Sequence, residues 1–192
     1  MKQTTTAFIC CMLCTVLAYA AEPQLVQQFE FGVNAGLTIP LGGYHGGDLS
    51  GSVTLGLELR YNVEDMPWDC GLILQTDGAT RHYKMEDGSK GYTSQTNATW
   101  AYGVTGAYNF RQGHRINPFI GAAVCIGSYD QEGDGARKNV TPGETFVFMP
   151  RAGVELFHHI RLTTHCMIVR HGFHTAGLAI GFVIGGRPKK KE

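Results

Sequence analysis

A run of alternating carboxylates is the first feature whose spacing suggests chemistry. Asp130, Glu132 and Asp134 alternate along a segment that ends in Gly135, an order typical of the start of a calcium-binding loop. The twelfth position of such a loop supplies a bidentate Glu, but here it is Thr141. We therefore interpret the segment as a plain acidic loop, with calcium binding as the weaker alternative.

Histidines and one serine form a second candidate group. His158 and His159 are typical turn residues, whereas His171 and His174 share one short connection and are a conceivable metal pair. Ser128 with His171 or His174 would supply the nucleophile and base of a lipid-modifying hydrolase. The His-x-Ser pairing of deacylases is absent. We therefore predict no enzyme, no metal site and no other cofactor.

A third group of polar residues recurs along one face of apolar segments. Charges of opposite sign that face a narrow interior must pair, because an unpaired buried charge is costly. We therefore predict a network of ion pairs and hydrogen bonds inside the fold. Its members are Glu58, Arg60, Arg151, Glu155, Arg161 and His165.

The segments that carry these residues alternate apolar and polar side chains with period two, which indicates β-strands. The alternation is less clean in Phe146–Leu156 and Ile160–Val169. Trp68–Gln75 and Phe119–Tyr129 are apolar on both faces and are the weakest assignments. Pro150 has no backbone N–H to donate. It therefore predicts a bulge in the sixth strand, or it argues against that strand. The eight predicted strands are Phe29–Pro40, Ser52–Tyr61, Trp68–Gln75, Gln95–Phe110, Phe119–Tyr129, Phe146–Leu156, Ile160–Val169 and Thr175–Ile184.

The connections between these strands alternate in length. Long polar connections are predicted at Gly42–Leu49, Asp77–Thr93 and Asp130–Glu144, and short ones at Asn62–Pro67, Arg111–Asn117 and His158-His159. Only Arg170–His174 is short where a long one is due. Short periplasmic turns and longer external loops are typical of outer-membrane barrels.

The residue types on the two strand faces favour a barrel in lipid over a soluble sandwich. The polar face is rich in Gly, Ala, Ser and Thr, which suit the crowded interior of eight strands. Aromatic side chains gather at the strand ends, as expected at the two membrane interfaces. One rim would hold Phe29, Phe31, Tyr61, Trp68, Tyr108, Phe110 and Phe157, and the other Trp100, Tyr102, Tyr129, Phe146 and Phe148.

The first twenty residues have the order of a secretory signal: Lys2, an apolar stretch from Ala7 to Leu17, and Ala18-Tyr19-Ala20. We predict a signal peptide over residues 1–20 and one barrel domain over 21–192. Three cysteines, Cys70, Cys125 and Cys166, remain after cleavage, and no disulfide is expected. The 16 basic and 16 acidic residues of the chain balance, so no nucleic-acid partner is indicated.

The whole pattern resembles the small OmpA-type outer-membrane barrels of Gram-negative bacteria, a porin-like group. The last strand resembles the terminal signal that the barrel-assembly machinery recognises, at Thr175, Gly177, Ile180 and Phe182. Unlike most such chains, this one continues beyond Phe182 into a basic tail. The resemblance implies an all-β, eight-stranded antiparallel up-and-down transmembrane barrel in the cell envelope. Its partners would be outer-membrane lipid and the assembly machinery.

The expected function is a non-enzymatic structural or surface-interaction role. A surface ligand would bind the loops at residues 77–93 and 130–144, because loops on a rigid scaffold often carry binding residues. The lumen is expected to be plugged by the charged side chains. Two alternatives remain open: a lipid-modifying hydrolase of the outer membrane, and a soluble periplasmic β-barrel or sandwich that binds a small apolar ligand.

Overall fold

The structure, a computed structural model, describes residues 26–42, 48–84, 92–132, 143–170 and 174–185. Gly51 alone separates β2 from β3, and both pair with β4, so together they form one strand of an eight-stranded sheet. Across the described ranges, no helix is long and apolar enough to cross a membrane. The strand segments are β1 (Phe29–Gly42), β2 (Asp48–Ser50), β3 (Ser52–Asn62), β4 (Trp68–Lys84), β5 (Tyr92–Asn109), β6 (Ile116–Glu132), β7 (Gly143–Leu156), β8 (Ile160–Val169) and β9 (His174–Ile184).

Every strand pairs antiparallel with its neighbours in sequence, and the sheet closes on itself. β1 pairs with both β3 and β9, in registers that place Val33 beside Leu57 on one side and beside Phe182 on the other. The order around the barrel is therefore β1-β3-β4-β5-β6-β7-β8-β9 and back to β1. This is the eight-stranded antiparallel up-and-down barrel that the sequence predicts.

The two faces of the wall have opposite chemistry. Outward-facing apolar side chains are exposed, among them Leu57 at 45% and Leu178 at 66%, whereas the inward-facing Arg60 is 2% exposed. This distribution inverts that of a soluble protein and suits a wall in contact with lipid. The predicted outward orientation of the apolar faces is confirmed, and the soluble alternative is wrong.

The predicted aromatics of the turn-end rim lie at or beside strand ends, whereas Trp100 and Tyr102, predicted at the other rim, lie in the middle of β5 because that strand extends to Tyr92. At the end with the short turns, the rings of Phe29 and Tyr61 lie 5.3 Å apart and those of Trp68 and Tyr108 lie 5.0 Å apart. Phe110 lies at this rim too, but it is buried rather than lipid-facing, because it belongs to the turn after β5. The side chain of Tyr129 lies outside the described residues.

The two weakest predicted strands are real, and they are longer than predicted. Both alternate in burial. Their inward residues are partly apolar, including Ile73 in β4 and Phe119 in β6, and this explains why both faces look apolar in the sequence. The strands β4, β5 and β6 contain 17, 18 and 17 residues.

The predicted loops at 77–93 and 130–144 are accordingly too long. Residues 77–84 continue β4, residues 92 and 93 begin β5, residues 130–132 end β6, and 143 and 144 begin β7. A membrane strand needs about 9–11 residues, so β4, β5 and β6 project well beyond the apolar belt at the loop end of the barrel. Outward side chains there are polar, as in the exposed pair Thr80 and Thr96, whose hydroxyls lie 3.3 Å apart.

Pro150 lies inside β7, and no bulge accompanies it. Its pairing with Ala122 of β6 is continuous. Toward β8, the pairing stops after Phe148 and resumes at Arg151 in the same register. The missing N–H therefore interrupts one ladder locally without shifting it.

The three cysteines lie on β4, β6 and β8. Cys70 is exposed on the lipid side, Cys125 is buried in the interior and Cys166 is half-buried on the outer face. All three are free in the structure, in agreement with the expectation of no disulfide. The predicted signal peptide at residues 1–20 lies outside the described residues.

The first prediction concerns the apolar belt. We expect Leu57→Arg to prevent or strongly reduce insertion, because a cation at the middle of the lipid face costs ~2–4 kcal/mol. The matched control is Thr96→Arg, which places the same charge on the outer face of the projecting strands. Heat-modifiable mobility of the membrane fraction measures folded barrel, and equal levels of the two variants would contradict the topology.

Candidate functional site

Arg60 lies at the centre of a cluster of carboxylates inside the barrel, near the turn end. Its Nη2 lies 2.6 Å from Oε2 of Glu30 and 3.2 Å from Oε2 of Glu155. Its Nη1 lies 3.7 Å from Oδ2 of Asp69, and its Nε lies 4.0 Å from Oε1 of Glu58. Alternation along β1, β3, β4 and β7 turns all these side chains inward. One guanidinium therefore ties four strands together.

Two further arginines extend this cluster across the interior. Arg151 donates to Glu58, and Nη1 of Arg161 lies 3.4 Å from Oε2 of Glu155. The guanidinium carbon of Arg161 lies 3.6 Å from the ring centre of Phe119, a buried cation–π contact. We name this group of seven residues the charged layer: Glu30, Glu58, Arg60, Asp69, Arg151, Glu155 and Arg161.

The contacts of the charged layer cross the full width of the barrel. β3 and β7 lie four strands apart in a ring of eight, so they are diametrically opposite. Arg60 and Glu58 on β3 reach Glu155 and Arg151 on β7. These contacts therefore span the lumen rather than run along its wall.

Below the charged layer, amides fill the turn end of the lumen. Nδ2 of Asn109 donates to Asp69 at 2.7 Å, and Nδ2 of Asn62 donates to Glu30 at 2.7 Å. Gln112, in the turn after β5, donates to Oδ1 of Asn62 at 3.0 Å. These bonds tie the carboxylates of the charged layer to the short turns.

A second bridge lies nearer the loop end. Nε2 of His165 on β8 lies 3.0 Å from Oδ2 of Asp77 on β4, again a diametrically opposite pair. The hydroxyls of Thr54 and Thr175 each donate to Asp77 at 2.7 Å, and Gln75 donates to it at 3.4 Å. A carboxylate with this many donors is well satisfied although it is buried. We name this group the Asp77 cluster.

The ring of His165 fits because Gly177 lies against it on β9. A side chain at position 177 would collide with the imidazole. Gly177 therefore has a packing role in the lumen beside any role in assembly. Of the other residues predicted as the assembly signal, Thr175 faces the lumen, and Ile180 and Phe182 face lipid.

The interior also contains an apolar cluster and a small cavity, and Ile73 and Met149 belong both to the cluster and to the lining of the cavity. The cluster consists of Ile73, Ala101, Ala123, Cys125, Val147, Met149, Met167 and Val169. The cavity has a volume of about 20 Å³ and is bordered by Asn34, Glu58, Arg151, Arg161 and His165. Such a cavity holds about one water molecule.

The structure thus divides the predicted network in two. It brings Glu58, Arg60, Arg151, Glu155 and Arg161 together in the charged layer. His165 is the cross-strand partner of Arg151, but it makes its hydrogen bonds in the Asp77 cluster. Sequence reasoning missed both aspartate partners, Asp69 and Asp77, although the period-two spacing of Asp69, Ile73, Gln75 and Asp77 places them on one face of a strand.

The remaining candidate residues do not form a common site. Ser128 is exposed on the outer face of β6, and His174 begins β9, three strands away, where its Nδ1 accepts from the Val169 amide at 3.2 Å. His171 and Asp134 lie outside the described residues. Within the described part of the chain, no group of three His, Cys, Asp or Glu side chains is placed to hold a metal ion.

Comparison with known proteins gives matches at the level of structure. No protein-family model matches the sequence, and no curated protein matches it. The crystal structure of Neisserial surface protein A is similar with a TM-score of 0.53 and 9% identity, covering 83% of this chain and 97% of that one. OprG from Pseudomonas aeruginosa gives a TM-score of 0.49 and 11% identity, covering 85% and 98% of the two chains. Ail, the attachment invasion locus protein of Yersinia pestis, gives 0.46 and 12%, covering 82% and 100%.

The similarity to Neisserial surface protein A shows the fold. A closed eight-stranded barrel with an apolar outer wall and a charged interior is the architecture of bacterial outer-membrane barrels. The chain therefore has the fold of an outer-membrane β-barrel, with an apolar outer wall.

The second prediction concerns the charged layer. We expect Arg60→Met to lower the free energy of unfolding by about 3–5 kcal/mol, because it leaves buried carboxylates without their shared cation. The control is Arg115→Met, at an exposed turn position. Urea unfolding of the refolded barrel in detergent measures both, and a loss for Arg60→Met no larger than that for Arg115→Met would contradict the account.

Proposed function

We propose that the protein is a non-enzymatic outer-membrane barrel with a plugged lumen, whose function lies on the surface at its loop end. The observation that carries this proposal is the pair of polar bridges across the lumen. Arg60–Glu155 and Asp77–His165 each join opposite walls, at 3.2 Å and 3.0 Å. Two such bridges at different depths obstruct a continuous path for ions.

The size of the barrel supports the plug. Eight strands enclose an interior only just wide enough for side chains. The cavity in the interior measures about 20 Å³, which is far below the volume of a water-filled channel. Beside this cavity, Arg151 donates to Glu58, and Nε2 of His165 lies 3.0 Å from Oδ2 of Asp77.

The shape of the loop end supports a surface role. β4 and β5 stay paired as far as Lys84 and Tyr92, and β6 stays paired with β5 as far as Glu132. These paired strands form a sheet that projects on one side of the barrel. Residues 85–91 and 133–142 are the chain segments between β4 and β5 and between β6 and β7. Binding residues are often found on loops carried by a rigid scaffold.

The third prediction tests the plug by planar-bilayer recording. We expect the refolded wild-type protein to give no stable unitary conductance. The variant Glu58→Ala, Arg60→Ala, Arg151→Ala, Glu155→Ala, Asp77→Ala, His165→Ala removes the three contacts that cross the lumen, Arg60–Glu155, Glu58–Arg151 and Asp77–His165, and should conduct. Glu144→Ala with Arg170→Ala, two exposed residues, is the control and should stay silent. A large stable conductance of the wild type would overturn the plugged lumen.

The fourth prediction tests the surface role. Residues 85–91 and 133–142 are replaced, separately and together, by short Gly–Ser links, and cells displaying each variant are assayed for retention on surfaces coated with matrix proteins. We expect the barrel to remain heat-modifiable, because the strands fold without these segments. We expect retention of the cells to fall. Equal retention of wild type and the double replacement, at equal surface levels, would contradict a role for these loops.

A further inference from the structure

We propose that the carboxyl groups of Glu30 and Asp69 hold one proton between them at neutral pH, so that the charged layer contains a bound proton. This proton-binding site lies at the turn end of the lumen, where both carboxyl groups lie beside the guanidinium of Arg60. The inference concerns the interior of the barrel and is independent of the loop-end surface of the proposed function.

The lumen contains more buried acids than buried bases. Even if the one buried imidazole is protonated, one negative charge in the described part of the chain has no cation of its own. A buried charge without a partner is strongly unfavourable, so the lumen needs one further positive charge. The five buried acids are Glu30, Glu58, Asp69, Asp77 and Glu155, and the four buried bases are Arg60, Arg151, Arg161 and His165.

Three of the five acids have a base of their own. Each of them lies within hydrogen-bonding distance of a different basic side chain, and these three bases are distinct from Arg60. The pairs are Glu58 with Arg151, Glu155 with Arg161, and Asp77 with His165.

The two remaining acids share one guanidinium. Oε2 of Glu30 lies 2.6 Å from Nη2 of Arg60, and Oδ2 of Asp69 lies 3.7 Å from its Nη1. Neither acid has a second ion pair among the described residues. Two carboxylates beside a single cation carry one excess negative charge, and such a pair retains a proton more strongly than an isolated acid does. The excess charge of the lumen is therefore located at Glu30 and Asp69.

The hydrogen bonds of these two acids identify the oxygens that can carry the proton. Nδ2 of Asn62 donates to Oε1 of Glu30, and Nδ2 of Asn109 donates to Oδ2 of Asp69, each at 2.7 Å. Oε2 of Glu30 and Oδ1 of Asp69 are buried and accept no hydrogen bond, although the former lies close to Arg60. An ionised carboxylate accepts hydrogen bonds at both oxygens, whereas a neutral acid has a proton on one of them.

The other groups that face the pair do not supply the missing positive charge. The charged side chains there are Glu58, Glu155 and Arg161, which are already paired with one another or with Arg151. The inward residues of β5, β6 and β9 at this end are uncharged: Asn109, Asn117 and Val183. Arg111, in the turn after β5, is half-buried and forms no ion pair within the described residues.

A proton suits this position better than a metal cation does. Arg60 already occupies the centre of the carboxylates, so a metal ion placed beside the same oxygens would be repelled by the guanidinium. A proton instead forms a covalent bond with one oxygen and removes the charge of that carboxylate. The site is therefore neutralised without a second cation.

Infrared spectroscopy of the folded protein in detergent at neutral pH tests the proposal. The carbonyl stretch of a neutral carboxylic acid lies above the bands of carboxylates and backbone amides. We expect this band in the wild type and in the control Glu144→Gln, at an exposed position. Glu30→Gln and Asp69→Asn should each lack it, because Arg60 is then left with one acid. A wild type without the band would overturn the proposal, and stabilisation of that protein by sodium or potassium would show that a metal cation holds the site.

Urea unfolding at neutral pH identifies which acids hold the proton, because removal of any acid relieves the excess charge. Glu30→Gln and Asp69→Asn replace a carboxyl group by an amide of the same shape, and their urea midpoints should match that of the wild type. Glu58→Gln leaves Arg151 without its ion pair, so its midpoint should fall. Equal losses in all three variants would place the proton elsewhere.

The pH dependence of unfolding gives a further readout. Because the folded pair keeps a proton that the unfolded chain has lost, the folded state binds more protons and its stability falls as the pH rises. Relative to Glu30→Gln, the unfolding constant of the wild type should rise by up to about tenfold per pH unit above the ordinary range of a carboxyl group. The Asp77–His165 pair is present in both proteins, so its contribution cancels. Parallel pH profiles of the two proteins would contradict a bound proton.

Discussion

Pairing between β1 and β9 is the constraint on which the rest of the structure depends. In lipid every backbone donor and acceptor must be satisfied within the protein, and a β-sheet meets this condition only by closing. The ladder from Phe31–Ile184 to Gly42–His174 completes the ring. Closure with eight strands fixes a narrow lumen, and inward side chains must then be small or must find partners across it.

The interior follows from this confinement. Strands four apart in the ring approach closely enough for Arg151 to reach Glu58 and for His165 to reach Asp77. Long polar side chains at those positions need space, which Gly177 supplies beside His165. The polar bridges, the small residues and the apolar cluster therefore fill the lumen together.

The sequence predicts the wall well and the interior less well. Period-two alternation predicts six of the eight strands, because one face contacts lipid, whereas β4 and β6 are apolar on both faces because inward residues such as Ile73 and Phe119 are apolar too. The sequence pattern ends β4 too early, because Asp is a residue type common in loops, although the side chain of Asp77 faces the lumen. The alternation does not predict which charged side chains pair, because Arg60 and Glu155 become neighbours only once strand number and register are fixed. His165 faces inward, but its hydrogen-bond partner is Asp77 rather than a residue of the charged layer.

A double-mutant cycle on Glu58 and Arg151 tests whether polar side chains bridge the lumen, because these residues lie on opposite walls and meet only if it is bridged. The free energies of unfolding of the wild type, Glu58→Gln, Arg151→Met and the double variant are measured in detergent by urea titration. A direct contact between Glu58 and Arg151 across the lumen predicts a coupling energy of about 1–3 kcal/mol, in the range found for residues in contact. Additive effects within about 0.3 kcal/mol, the behaviour of distant residues, would contradict a bridge across the barrel.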